Sequence, residues 1–420
     1  MMIAAVVALS LLVIVFLVAN LMTGEKKVQQ QVGRLYSAED PEFVHVMGVL
    51  LGPPVISGNK YRVLVNGDQI FPAMLDAIKN AKRTIDFETY IYWSGAIGRQ
   101  FADALSERAK AGIKVHILLD WVGTAKMDEA LIDELKSAGV EIQKYHKPHW
   151  TGLGKLNNRT HRKLLVVDGQ IGFTGGVGIA EQWTGNAQDP DHWRDTHFVV
   201  EGPVVGQMQA VFMDNWIKTS GAVLHGAEYF PPLEPLADGR AQVFSSSPAG
   251  GGASMELMYL LSITAAKRTI RLSSSYFVPN DLALRAFMDA MKRGVKLEII
   301  TPGGHIDSDA VRNASRAKWG GLLAAGAEIS EYQPTMYHVK VMIVDEFMVS
   351  TGSTNFDERS FRLNDEANLN IYDAAFAKEQ VAVFEADLAK SKRITLDMWE
   401  ARPLREKIAE KFASLLDSQL

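Results

Sequence analysis

The chain predicts an α/β protein of two homologous halves, each a mixed β-sheet flanked by helices, and three observations carry that prediction. Ala81-Lys82-Arg83-Thr84-Ile85 returns as Ala266-Lys267-Arg268-Thr269-Ile270, and Ala111-Gly112-Ile113-Lys114-Val115 is echoed by Arg293-Gly294-Val295-Lys296-Leu297. Around each repeat, amphipathic helical stretches alternate with apolar strand-like runs, the pattern of a sheet covered by helices. Third, His161-Arg162-Lys163, four residues, then Asp168 recurs 177 residues further on as His338-Val339-Lys340, four residues, then Asp345. At 420 residues the chain exceeds one ordinary domain, and the repeats say how it divides.

From the N-terminus, Met2 to Met22 is an apolar run of 21 residues without a charge. At about 1.5 Å per residue it is long enough to cross a hydrocarbon core of about 30 Å, so residues 1–23 are expected to be a transmembrane anchor. No basic residue precedes the run as a secretory signal would require, whereas Lys26, Lys27 and Arg34 follow it. The positive-inside rule then puts the body of the chain on the cytoplasmic side of the cell membrane; a signal anchor with a translocated body is the alternative. Residues 24–60 form a juxtamembrane linker in which Phe43 to Leu51 is apolar but too short to span, and Gly52-Pro53-Pro54 ends it. The first half covers 61–235, the second 236–375, and a helical tail 376–420 in which Phe412, Leu415 and Leu416 fit either core packing or membrane-surface contact. Just before the first motif, Lys144-Tyr145-His146-Lys147-Pro148-His149-Trp150 interleaves basic and aromatic residues, which suits a lipid headgroup boundary as well as an ordinary loop.

Both motif copies sit in strand context, followed by Leu164-Leu165-Val166-Val167 and Val341-Met342-Ile343-Val344. Because strand side chains alternate faces, His161 points the same way as Lys163, and His338 the same way as Lys340. Each pair offers an imidazole and an ammonium to one anion, and two pairs suit a phosphodiester. A lone His-x-Lys is most often a solvated strand edge; its recurrence with matching surroundings is what argues for chemistry. Asp168-Gly169 reads as a hairpin turn, while Asp345-Glu346 allows a different turn type; both aspartates read as hairpin supports although they complete the motif. Small residues follow each hairpin, Gly175-Gly176-Val177-Gly178 and Gly352-Ser353-Thr354-Asn355, where backbone can approach a ligand. Gly175, Gly176, Ser353 and Asn355 are the candidate phosphate-binding residues. His45, His116 and His225 show no paired spacing and read as structural or solvent-facing, and no cluster has metal-ligand spacing, so neither a metal nor another cofactor is expected.

These residues resemble the phospholipase D superfamily, whose signature is the His-Lys-Asp motif twice per active site, and the likeness runs from about Tyr61 to the C-terminus. Within it the chain is most similar to bacterial cardiolipin synthases, through Tyr276-Phe277-Val278-Pro279, the run Gly352-Ser353-Thr354-Asn355-Phe356-Asp357-Glu358-Arg359-Ser360, Asn364-Asp365-Glu366 and Trp399-Glu400-Ala401-Arg402-Pro403-Leu404. The resemblance implies two halves packed about a pseudo-two-fold axis with the active site between them, and a catalytic set of His161, Lys163, Asp168, His338, Lys340 and Asp345. It implies attack by His161, giving a phosphohistidine, and acid/base work by His338; the residues alone leave this assignment reversible. It also makes Asp195 and Glu366 candidate orienting carboxylates, without saying which meets which histidine. The chain departs from the pattern at Gly178, where the family usually has Asn. One missing donor to a phosphate oxygen would cost about 1.5–3 kcal/mol unless a backbone amide or water replaced it.

The function so implied is a membrane-anchored phosphatidyltransferase condensing two phosphatidylglycerol molecules to cardiolipin and glycerol. A hydrolytic phospholipase D, a transferase with another alcohol acceptor, and a membrane-tethered nuclease use the same chemistry. The net charge of −5 gives no sign of a nucleic-acid-binding surface, and with no cysteine the chain depends on no disulfide. Both His-Lys pairs are intact, against a non-catalytic scaffold. Oligomeric state and acyl-chain preference do not follow from the residues.

Overall fold

The computed structural model of the chain describes residues 9–13, 15, 28, 30–145, 158–247 and 254–415. The first half contributes β1 (Ile56–Val65), β2 (Thr84–Thr89), β3 (Lys114–Asp120), β4 (Glu141–Tyr145), β5 (Arg159–Thr160), β6 (Leu164–Val167), β7 (Ile171–Gly175) and β8 (Thr196–Glu201). The second contributes β9 (Gly239–Ser246), β10 (Thr269–Ser274), β11 (Phe277–Val278), β12 (Lys296–Pro302), β13 (Glu328–Tyr332), β14 (Lys340–Val344), β15 (Met348–Gly352), β16 (Phe356–Asp357) and β17 (Asn364–Tyr372). From centre to edge the strands run β1-β8-β7-β6-β2-β3-β4 in one half and β9-β17-β15-β14-β10-β12-β13 in the other. The two orders are the same, and they meet where β1 pairs antiparallel with β9. Within each of these seven-strand orders the outer three strands are parallel and the others antiparallel, so the sheet is mixed as the residues predict; β11 and β16 pair in parallel as a separate two-stranded sheet.

Strand alternation explains why the motif strands are apolar throughout. Leu164 and Val166 face a central core shared by both halves, while Leu165 and Val167 face the outer core of the first half. Val341 and Ile343 likewise face the shared core, and Met342 and Val344 the outer core of the second half. A strand buried on both faces has no polar side to show. The helices Val205–Ser220 and Ala374–Leu388 close the shared core through Met208, Val211, Phe376 and Phe384.

The repeated pentapeptides also acquire a reason. Backbone N–H groups of Lys82, Arg83 and Thr84 donate to the Asp168 carboxylate at 2.7–3.1 Å, and those of Lys267, Arg268 and Thr269 donate to Asp345 at 2.7–3.0 Å. The motif aspartates thus fasten the hairpin to the start of the neighbouring strand. Both turns have two central residues at positive φ, Asp168 and Gly169 at 54° and 64°, Asp345 and Glu346 at 53° and 55°. That is the φ signature of a type I′ hairpin turn, so the turns are alike in spite of the Gly-to-Glu difference.

The tail is not only helical: Ser391–Ile394 forms β18, which pairs antiparallel with β13 at the sheet edge. The apolar stretch within the expected linker is the helix Pro41–Leu51, which buries Phe43 and Met47 in the outer core of the second half, so this part of 24–60 belongs to the folded body. Among the described residues no helix is long and apolar enough to cross a membrane. Most of the run 2–22 expected to be an anchor lies outside the described residues, as do 146–150 of the expected lipid-boundary segment.

Candidate active site

The two histidines come together at one cleft of about 410 Å³, lined by His161, Lys163 and Tyr90 on one side and His338, Trp183 and Trp193 on the other. Their positions follow from backbone contacts between the halves. β5 pairs in parallel with the start of β17, and the N–H of His161 donates to the carbonyl of Asp365 at 2.9 Å. Correspondingly, Arg194 and Tyr337 form a parallel bridge and the N–H of His338 donates to the carbonyl of Arg194 at 2.7 Å. Each histidine is therefore pinned beside the residue preceding a candidate carboxylate of the other half.

The carboxylates accordingly cross over. His161 Nδ1 lies 2.9 and 3.1 Å from the two Glu366 oxygens, and His338 Nδ1 lies 2.7 Å from Asp195 Oδ2. With Nδ1 so engaged, Nε2 is the nitrogen each imidazole has left for a ligand. Both carboxylates are buried and held in turn: Trp183 Nε1 donates to Asp195 at 3.0 Å and the Thr196 N–H at 2.7 Å, while Ser353 Oγ and Asn364 Nδ2 donate to Glu366. Neither is a surface ion pair.

Each lysine folds back on its own histidine. Lys163 Nζ donates to the His161 carbonyl at 2.8 Å, and Lys340 Nζ to the His338 carbonyl at 2.9 Å and to Ser275 Oγ at 2.6 Å. Lys340 Nζ also stands 3.2–3.3 Å from both ring nitrogens of His338. Burial dominates the electrostatics. It pulls His161 down to about 4 against the opposing effect of Glu366, and His338 down to about 3, with Lys340 adding to the effect and Asp195 opposing it. Burial, then mutual repulsion with Lys340, brings Lys163 to about 7, and burial brings Lys340 to about 8 against the pull of Asp195 and Glu366. For Asp195 and Glu366 burial pushes upward, but the facing histidine and lysine outweigh it and both end below the usual carboxylate range. Burial and these charges thus favour neutral imidazoles between ionised carboxylates, with ammonium groups poised near neutrality.

The other predicted residues divide. Asn355 lines the cleft and accepts from Ser275 Oγ at 2.9 Å. Ser353 serves Glu366 instead of facing the cleft. Gly175 and Gly176 are not in the lining; they permit close packing, since a Cβ on Gly176 would sit 2.2 Å from Asp195 Oδ1 and one on Gly175 2.5 Å from His197 Nδ1. Asp168 and Asp345, counted with the catalytic set through the motif, hold strand ends and do not line the cleft. A Cβ on Gly178 would meet Ile91 Cβ at 2.8 Å and the Trp183 ring at 3.2 Å, so packing leaves no room there for the family's usual Asn.

Sequence reasoning missed Arg159, Arg359 and Tyr90. Arg159 and Arg359 both line the cleft, and the charge of Arg159 helps lower Arg359 after burial has done so. Arg159 was within reach of the alternation expected from the residues, lying two before His161 as Lys163 lies two after it. Tyr90 follows β2 as Ser275 follows β10, and its ring lies 5.3 Å from that of His161.

Comparison with known proteins agrees with this geometry. Residues 74–216 and 259–388 match the family described as cardiolipin synthase, PLD-like domain. The chain is 34% identical over 362 residues to cardiolipin synthase 2 of Bacillus anthracis, covering 86% of this chain and 70% of that one. It is 35% identical over 370 residues to a cardiolipin synthase of Geobacillus sp. (strain WCH70), covering 87% and 74%. In three dimensions it is similar to the crystal structure of phosphatidylserine synthase from Haemophilus influenzae Rd KW20, with a TM-score of 0.65 over 90% of this chain and all of that one; at 13% identity this likeness concerns the fold alone.

Proposed function

The chain belongs to the cardiolipin synthase family with phospholipase D-like domains, and we propose from that premise that it joins two phosphatidylglycerol molecules into cardiolipin, releasing glycerol. The enzyme is a phosphatidyltransferase of the phospholipase D superfamily. The observation that carries the reaction is the pair of crossed imidazole–carboxylate contacts at one cleft, His161 with Glu366 and His338 with Asp195. Neutral His161, its Nδ1 held by Glu366, attacks phosphorus with Nε2 while the bond from phosphorus to the glycerol headgroup oxygen breaks. His338 gives a proton to that oxygen, and the negative phosphodiester beside it, together with Asp195, favours the protonated state it needs. The headgroup hydroxyl of a second phosphatidylglycerol then gives its proton to His338 and attacks phosphorus, and the phosphorus–nitrogen bond breaks. Lys163, Lys340 and Asn355 face the charge on the phosphoryl oxygens.

The finer membrane reading is also ours: the run 2–22 anchors the protein, and Lys26, Lys27 and Arg34 place the body on the cytoplasmic side. A bilayer-bound cleft suits transfer over hydrolysis because it limits water at the phosphohistidine. The deciding experiment incubates purified protein with phosphatidylglycerol labelled in the headgroup, alongside His161→Ala and His338→Ala, and identifies lipid products by mass. Cardiolipin and free glycerol, lost in both variants, are the expected result. Phosphatidic acid alone would replace the synthase with a hydrolase, a different phosphatidyl-alcohol would change the acceptor, and cleavage of nucleic acid without lipid turnover would overturn the lipid reading altogether.

A further inference from the structure

The C-terminal helix Leu404–Ala413 carries an apolar face that no other described residue covers. Leu404 is 72% exposed, Ile408 48%, Phe412 68%, and Leu415 in the following turn 75%. Their spacing of four, four and three puts them on one stripe of a helical surface. The opposite side is the packed one. Ala413 joins Val278, Val311 and Ala314 in a small core against which Tyr276 rests, and Tyr276 is itself a wall of the catalytic cleft. Charge is sorted the same way: Glu406 and Glu410 turn inward to Arg316 at 3.3 Å, and Glu410 also meets Arg402 at 2.7 Å. The exposed charges flanking the stripe are Arg405 on one side and Lys407 and Lys411 on the other. An apolar stripe between cations, with its acids withdrawn, is the pattern of a helix lying in the headgroup boundary of an anionic bilayer. A second copy of this chain would set like charges against each other across the same stripe.

We propose that this helix is the surface by which the cleft is seated on an anionic lipid bilayer, with Leu404, Ile408, Phe412 and Leu415 inserted at the headgroup boundary. The inference deepens the lipid substrate reading and rests on it only for why the cleft should face a bilayer; its test needs no turnover.

The chain has no cysteine, so Phe412→Cys can carry a single polarity-sensitive fluorophore on the full-length protein, with Lys110→Cys, exposed in the first half, as control. Vesicles of phosphatidylglycerol or phosphatidylcholine containing a lipid-borne quencher report contact. Expected is strong quenching at 412 in phosphatidylglycerol vesicles, at least about threefold weaker in phosphatidylcholine, and little at 110. In parallel, Ile408→Glu with Phe412→Glu should lower turnover of vesicle phosphatidylglycerol about tenfold or more while leaving turnover of a dispersed short-chain phosphatidylglycerol unchanged. Absence of quenching at 412 in both vesicles overturns the proposal, as does a 412–412 disulfide formed between two copies of the unlabelled variant under an added thiol oxidant. Equal quenching in both lipids overturns its anionic part. A protein quenched at 412 that makes no cardiolipin would sink the functional reading and leave this one standing.

Discussion

The His161 and His338 sides of the cleft share a frame and differ in their lining. In both, a histidine is pinned by a backbone bond to the other half, its Nδ1 meets a carboxylate of that half, and a lysine two residues on returns to the histidine carbonyl. Around that frame the positions have diverged. Tyr90 stands where the second half has Ser275, Gly178 where it has Asn355, Gln182 opposite Arg359 and Arg159 opposite Met336. The His161 ring has Tyr90 as its aromatic neighbour, whereas His338 is flanked by Trp183 and Trp193 at 5.3 and 5.5 Å. Duplication thus supplied two equivalent imidazoles, and the lining gives them unequal surroundings, which is what the proposed reaction, with one nucleophile and one proton carrier, requires.

The largest expected effect tests that inequality directly. His161→Ala and His338→Ala should each reduce turnover of phosphatidylglycerol by at least about a thousandfold. A phosphatidyl ester of nitrophenol, whose leaving group needs no proton, separates them: His338→Ala should still release nitrophenol and accumulate protein carrying the phosphatidyl group, and His161→Ala should do neither. The reverse outcome would exchange the two roles.

Crossed pairing sharpens the comparison at the next level. Glu366→Gln and Asp195→Asn should each lower activity by about a hundredfold, since a histidine's orienting partner is worth nearly as much as its alignment. If each carboxylate serves the histidine it touches, the nitrophenyl donor rescues Asp195→Asn in the first step and leaves Glu366→Gln impaired. Equal rescue of both would break the assignment of partners.

The lysines should appear in the pH profile. In the proposed mechanism their ammonium forms hold phosphate, so kcat/KM of the free protein should fall as pH rises through about 7 to 8, by about tenfold per unit once one ammonium is lost. Stability moves the other way. Both values lie below the ordinary 10.5, so between about 7 and 10.5 the unfolded chain binds more protons and these two groups make the fold more stable as pH rises. Activity lost without unfolding over that range is the expected signature. Lys163→Arg, which does not titrate there, should leave only the limb belonging to Lys340, near 8. A profile flat from pH 6 to 9 would remove the lysines from phosphate binding.

How much of this was legible in the sequence depends on whether a residue acts within its own repeat or across to the other. His161 with Lys163, and His338 with Lys340, were readable because strand alternation fixes neighbours two apart. The mixed sheet was readable from the repeats for the same reason. The meeting of His161 with Glu366 and of His338 with Asp195 was not, because it arises where the halves join, through β5 on β17 and Arg194 beside Tyr337. The glycines misled in a different way. Gly175 and Gly176 were expected to let backbone approach a ligand, but what approaches is the protein's own Asp195 and His197, and spacing cannot tell a ligand from a neighbouring strand.

The motif aspartates give the smallest expected effect on chemistry. Asp168 and Asp345 each accept three backbone N–H groups, and the carboxylate charge strengthens each of those bonds. Replacing either by Asn leaves one oxygen to accept and removes the charge, a loss of about 1.5–3 kcal/mol confined to the turn and the strand it fastens. Hydrogen exchange should therefore quicken at Lys82, Arg83 and Thr84 in Asp168→Asn, and at Lys267, Arg268 and Thr269 in Asp345→Asn, each leaving the other half untouched. The Asp345 variant should be the more affected, because Asp345 is more deeply buried, at 1% against 9%. Turnover per folded molecule should stay within about twofold of the parent in both, since neither carboxylate reaches the cleft. A hundredfold loss of turnover with unchanged exchange would return these aspartates to the chemistry and separate the recurrence of the motif's spacing from its role in the fold.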